Sequence, residues 1–160
     1  MEDAVPADQK VQAREGARAA ISVGFPGKVV ALRADMDALP VKEATGLPFA
    51  SQVIAKNFGK DSPVMHACGH DGHTAILMGA AEVLAGMRAD IPGTIKFIFQ
   101  PAEEGRSQEP KHEHESFGAK AMIAEGVLDK PKVDAIFGLH ITPRPGLGAL
   151  GYRVGSMMAG

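Results

Sequence analysis

Apolar and polar positions alternate along the chain in ways that assign several elements. GKVVALRAD is a compact apolar run, bounded by Pro26 and Gly27 before it and by acidic residues after it. That pattern predicts a buried strand. HTAILMGAAEVLAGM changes period: Ile76, Leu77, Ala80, Val83, Leu84 and Met87 fall on one helical stripe, with Asp71 or Thr74 available to cap its start. IPGTIKFIFQP reads as a turn and then a strand ending at Pro101. FGAKAMIAEGVL predicts a short helix with Gly126 near its C-terminus, and KVDAIFGLH predicts a third strand.

The remaining stretches are less regular. Residues 1–27 are read as an atypical, weakly ordered segment; ADQKVQAREGARAAISVG could form a short helix, but its apolar face is mostly alanine. MDALPVKEATGLPFASQVIAKNFGKDSPV carries prolines and glycines without a sustained period, which predicts a long loop with a short helix at most. Loops of that length inside a domain are usually functional. GRSQEPKHEHES reads as a charged surface loop, and GLGALGYRVGSMMAG as a further strand or hairpin. The order strand, loop, helix, strand, helix, strand predicts an α/β layer: a mostly parallel sheet flanked by helices.

Composition narrows the function classes. The chain has 160 residues with 45% hydrophobic content, enough for one domain with a core. A formal net charge of -2 gives no reason to expect nucleic acid or an anionic membrane as partner. No apolar run is long enough to span a bilayer, and MEDAVPADQK is too polar for a secretory signal. The single cysteine cannot form an internal disulfide, so a reducing cytoplasm is the expected compartment.

That cysteine lies in MHACGHDGH, beside three of the six histidines. The acidic residues fall just as pointedly: the first strand ends in Asp35 and Asp37, the second in Glu103 and Glu104, the third in His140. Ligands of an open parallel sheet bind at the carboxyl ends of its strands. Three strands therefore deliver carboxylate or imidazole to one edge, and Cys68 and His70 enter from the loop side. Thiolate, imidazole and carboxylate together suit zinc, cobalt or manganese. Two adjacent glutamates on a turn can divide the work, one on metal and one holding water as general base.

Blander readings stand beside these. His112 and His114 fit a solvated loop. His66 and His73 suit a supporting shell or the helix start equally well. Cys68 alone could be a small buried hydrophobe. Asp35 could merely pair with Arg33, and Glu103 and Glu104 could lie on a solvated turn. Taken jointly, the sites at one sheet edge favour the metal reading.

ALRADMDALPV, MHACGHDGHTAILMGAAEVLA, GTIKFIFQPAEEG, GAKAMIAEGVL and DAIFGLH, in this order from about Lys28 onward, resemble the dinuclear-metal amidohydrolase branch of the co-catalytic metallopeptidases. This is the group of hippurate hydrolases, N-acyl-amino-acid amidohydrolases and auxin-conjugate hydrolases. The resemblance implies that residues 28–160 form part of a metallopeptidase-like catalytic domain without its satellite domain. It implies two divalent metal ions, manganese or zinc with cobalt as a further choice. Cys68, His70, Glu104 and His140 match ligand positions, and Glu103 matches the general base. Asp35, Asp37, His66 and Asp71 are taken as site-lining. The implied substrates are small N-acyl amino acids, hippurate-like or related conjugates, cleaved at the amide bond by metal-activated water.

Family members are longer, and their return from the satellite domain carries a further histidine ligand. The chain is therefore expected to be a truncated, poorly active form, and a family-type homodimer is not expected of it. Two rivals remain: a non-catalytic metal-binding remnant, and a metal-free hydrolase with Cys68 as nucleophile.

Overall fold

The computed structural model describes residues 17–22 (backbone only), 27–105, 116–142, 146–152 and 154–155. His112 and His114 lie outside them. Among the described residues six strands and two helices follow in the order β1 (Ala17–Ser22), β2 (Val29–Asp35), β3 (Ile54–Asn57), β4 (Lys60–Pro63), α1 (His70–Gly86), β5 (Thr94–Gln100), α2 (Gly118–Ala124) and β6 (Ala135–Gly138).

The main sheet has the order β1-β5-β2-β6. β2 runs parallel to both neighbours, pairing Leu32 with Phe97 of β5 and with Phe137 of β6. The expected α/β architecture with three parallel strands is therefore present. β1 corrects the helix reading of its segment: Ala17–Ser22 pairs antiparallel with β5, from Ala17 opposite Phe99 to Ser22 opposite Thr94. Alanine fits a strand when an existing edge offers it a complete ladder of hydrogen bonds, a tertiary circumstance that propensity does not register.

Side chains alternate across the sheet. Ala34, Phe97 and Leu77 form one buried cluster, packed by Leu32, Ile95, Phe99, Ala81 and Leu84, on the α1 side. Ala31, Ile98, Met122 and Val127 form the second, on the α2 side. Both faces of β2 and β5 are thus covered, as connections through helices require, while β6 is exposed along its length. The buried line of α1 is His70, His73 and Leu77, joined by Ala81 and Leu84. The expected stripe is rotated: Ile76, Val83 and Met87 are exposed. The two histidines, held at the sheet edge, set the helix's rotation. The expected caps are also replaced. Gly69 is the N-cap, in the left-handed region at φ 87°, and no side chain caps the helix. The Thr74 hydroxyl instead donates to the Asp35 carbonyl at 3.1 Å.

The long segment after β2 holds a hairpin rather than a helix, β3 pairing antiparallel with β4. Residues 146–152, 154 and 155 carry no strand, against the expectation of another strand or hairpin there. At the amino ends of the strands, Asp134 ties β6 to β2: its carboxylate accepts from the Val29 N–H at 2.8 Å, and its N–H donates to the Val29 carbonyl at 2.8 Å. Among the described residues no helix is long and apolar enough to cross a membrane.

Candidate metal centre

The carboxyl ends of β2, β5 and β6 and the start of α1 meet at one place. Reciprocal backbone bonds between Leu39 and Met65, at 2.9 and 3.0 Å, lay the segment leading to α1 beside the exit of β2. Cys68 and His70 thereby come next to Asp35 and Asp37. Three groupings of closely spaced ligand atoms result: Cys68 with His70 and His140, His70 with Glu103 and Glu104, and Asp35 with His70 and His73. His70 belongs to all three.

The His70 side chain is fully buried. Its Nδ1 faces two acceptors of Asp37, the carbonyl at 2.9 Å and Oδ1 at 3.2 Å. Both are oxygens without a proton to give, so Nδ1 carries a hydrogen, and in the neutral ring Nε2 holds the lone pair. That Nε2 is buried without a hydrogen-bond partner. It points at carboxylates that lie too far for a hydrogen bond: Asp35 Oδ2 at 3.7 Å, Glu104 Oε1 at 3.8 Å and Glu103 Oε2 at 3.9 Å. A buried nitrogen left unmet costs roughly 1–3 kcal/mol. A lone pair facing carboxylates across a gap is what a cation between them satisfies.

His140 follows the same logic. Its Nδ1 donates to the Ile141 carbonyl at 2.6 Å, so its Nε2 offers a lone pair 3.3 Å from Cys68 Sγ. The thiol is pushed up to about 11: its hydrogen bond to Glu104 comes first, then burial, then the charges of Glu104, Glu103 and Asp35. A cation in this cluster acts in the opposite sense and favours thiolate. Sulfur, imidazole and carboxylate donors thus stand together in the combination that suits a divalent transition metal.

The two glutamates reach the same side through their turn. Ala102, just before them, has φ 51°, a left-handed conformation that costs a non-glycine residue roughly 1–2 kcal/mol. The turn escapes strand alternation, and both carboxylates approach His70. Asp37 steadies this arrangement from below. Besides orienting His70, it accepts the Glu104 N–H on Oδ2 at 3.0 Å. One carboxylate thus fixes two candidate ligands.

Asp35 is buried deeper. Burial alone raises its carboxyl, but the hydrogen bond from His73 and the charge of Arg33 beside it hold the group below the usual range. Arg33 Nη1 meets Oδ2 at 2.7 Å, and its Nε donates to Gln100 Oε1 at 2.9 Å. His73 is buried too, its Nδ1 2.5 Å from Asp35 Oδ1. Both its nitrogens are engaged, because Nε2 accepts the Ile141 N–H at 2.7 Å. Asp35 and His73 thus belong to a hydrogen-bonded frame with Arg33 and Gln100 rather than to a second ligand set.

The expected ligands Cys68, His70, Glu104 and His140, the expected base Glu103, and Asp35 and Asp37 all converge. His66 and Asp71 are exposed and lie outside the three groupings. Asp35 pairs with Arg33, and His73 supports the site, as two of the blander readings have it; the member of the frame that sequence reasoning missed is Gln100. Its one visible signal was a polar residue ending an otherwise apolar strand. Gly72 was missed as well: a Cβ there would lie 2.6 Å from Ile141 Cδ1, so any larger residue would push the Ile141 side chain aside.

Known proteins resemble this chain over most of its length. The model for peptidase family M20/M25/M40 matches residues 31–156. An N-acetylcysteine deacetylase of Bacillus subtilis is 43% identical over 148 residues, covering 92% of this chain and 34% of that protein. An N-acyl-L-amino acid amidohydrolase of Geobacillus stearothermophilus is 45% identical over 134 residues, 84% of this chain and 31% of that protein. The chain thus spans about a third of the length of these relatives. The crystal structure of the YXEP protein of Bacillus subtilis, a dinuclear metal-binding peptidase, superposes with a TM-score of 0.65 at 45% identity, covering 81% of this chain and 30% of that one. Matched over most of its length, and with its polar residues gathered at one sheet edge, the chain belongs to peptidase family M20/M25/M40, in its amidohydrolase branch.

Proposed function

We propose that this chain carries the metal centre of an amide hydrolase acting on N-acyl amino acids. In this reading Cys68, His70, Glu104 and His140 hold two divalent ions, manganese, zinc or cobalt, and Glu103 is the general base. The observation that carries it is His70 Nε2, buried, unpartnered and aimed into the carboxylates of Asp35, Glu103 and Glu104. The substrate class rests on the names of the relatives, which act on N-acyl and N-acetyl amino acids.

The chemistry supplied at such a site is polarisation of the amide carbonyl and acidification of a water. The residues do the rest. Glu103, part-buried rather than enclosed, takes the proton of the attacking water and passes it to the departing amine. Asp37 holds His70 in the tautomer that presents Nε2. The rival with Cys68 as free nucleophile is disfavoured, because that mechanism needs a lowered thiol and the surrounding carboxylates raise this one.

The test uses the 160-residue chain, stripped with chelator and titrated with cobalt(II), with hydrolysis of N-acetyl-L-methionine followed in parallel. The proposal expects cobalt uptake with thiolate-to-cobalt absorption that disappears in C68S, and hydrolysis that stops when chelator is added. No uptake overturns the metal centre. Hydrolysis that survives chelator favours the thiol mechanism, and uptake without hydrolysis leaves a metal-binding domain that is not itself an enzyme.

A further inference from the structure

His73 stands one turn into α1, beside the proposed centre but with no lone pair to offer it. We infer that His73 is a positioning residue that aims the ligand His140 by gripping the peptide that follows it. This rests on the metal reading of the site, and it concerns a group that touches neither metal nor substrate.

The argument is one of hydrogen-bond direction. The Ile141 backbone N–H can only donate, and it points at His73 Nε2 from 2.7 Å. Nε2 must therefore carry a lone pair, which places the proton on Nδ1, facing Asp35 Oδ1 at 2.5 Å. Arg33 fixes the other oxygen of Asp35 and is itself fixed by Gln100. The frame thus runs from the end of β5, through the end of β2, across α1, to the residue after His140. Beyond Gly138, where the ladder between β2 and β6 ends, this frame ties the continuation of β6 to α1 and to the end of β2.

His140 depends on that link more than the other candidate ligands do. It lies beyond β6, whose last paired residue is Gly138, and it is exposed. Its Nδ1 bonds to the carbonyl of Ile141, the residue whose N–H His73 holds. One residue thereby receives both ends of the arrangement: its N–H is fixed by His73, and its carbonyl fixes the tautomer and direction of His140. The imidazole rings of His73 and His140 also meet edge to face, with centroids 4.7 Å apart. Gly72 gives Ile141 room to reach this position. Without His73, the segment after β6 loses its bond to α1 and His140 Nε2 its fixed approach to Cys68.

The experiment titrates cobalt(II) into the chelator-treated wild-type chain and into H73A and H73Q, after circular dichroism has established that each is folded. H73A is expected to weaken cobalt binding by about 10–100-fold, the range typical of outer-shell partners of a metal ligand, and to diminish the thiolate-to-cobalt absorption. H73Q, whose side-chain oxygen can still accept the Ile141 N–H, is expected to restore most of both. A general loss of packing would not be repaired by that one acceptor. Unchanged affinity and absorption in folded H73A overturn the inference, as does H73Q behaving no better than H73A.

Nitrogen NMR of the wild-type chain decides the matter should H73A fail to fold. His73 must carry its proton on Nδ1 and a lone pair on Nε2. A proton on His73 Nε2 overturns the inference. If the wild-type chain takes up no cobalt, the metal reading fails by itself. The same spectra then show whether His73 holds Ile141.

Discussion

Lys96 and His70 are both buried, both basic, and both seated where an apolar side chain would be expected. They differ in what meets their nitrogens. Lys96, on β5, sends Nζ to three backbone carbonyls, of Val127, Asp129 and Pro131, at 3.0, 2.8 and 3.0 Å. The loop that follows α2 is folded around that ammonium. His70 satisfies one nitrogen on Asp37 and leaves the other facing carboxylates beyond hydrogen-bond reach. Burial and basicity are shared, so neither distinguishes a functional group from a structural one. Saturation does: a group whose bonding capacity is met inside the chain builds the fold, and a buried group whose capacity is unmet waits for a ligand.

Glu103 stands beside the unmet nitrogen and gives the largest expected effect. E103Q should lower hydrolysis of N-acetyl-L-methionine by about 10²–10⁴-fold while cobalt stoichiometry is unchanged. Loss of cobalt instead would mean that Glu103 and Glu104 have exchanged roles. H70N keeps a donor for Asp37 but removes the ring nitrogen. It should weaken cobalt binding by more than about 100-fold, beyond the usual outer-shell range. In chelator its urea stability should change by only about 1 kcal/mol, because the lost nitrogen made no bond. A large loss of stability would show that His70 is structural in the way Lys96 is.

K96M is the converse. It strands the carbonyl of buried Val127 while those of Asp129 and Pro131 can turn to water, so a loss of about 1–3 kcal/mol in urea unfolding is expected, the same with and without chelator. Altered cobalt affinity in a folded K96M chain would break the contrast from the other side.

The smallest effect lies at the far end of the strands, where Asp134 is exposed. The Val29 N–H, then Lys28, holds its carboxyl below the ordinary value near 3.8. A depressed folded value means its contribution is complete above about pH 3.8 and is lost as the pH falls through the folded value. Wild type should therefore unfold at higher urea than D134N at pH 5. The gap should narrow toward pH 2. A gap independent of pH would show that the side chain acts through geometry rather than charge.

Much of this was legible beforehand because it depends on neighbours in sequence. Strand and helix periods placed β2, β5, β6, α1 and α2. The rule that parallel strands present ligands at their carboxyl ends then brought Asp35, Asp37, Glu103, Glu104 and His140 to one edge before any coordinates. Where propensity was weak the reading failed. Ala17–Ser22 is a strand because β5 offers it an edge, and the hairpin of β3 and β4 has too little apolar alternation to announce itself.

The finer assignments within the site needed tertiary structure. The sequence by itself determined which chemistry is present: one thiol, an adjacent pair of glutamates, and histidines clustered at a helix start. It could not determine that His73 bonds to Asp35 and Ile141 while His70 keeps a lone pair, since both are histidines three residues apart on one helix. It could not separate Lys96 from an ordinary exposed lysine. Those distinctions rest on which acceptor lies within hydrogen-bonding distance of which nitrogen. Residues far apart in the chain set those distances, and only the packed sheet and helices bring them together.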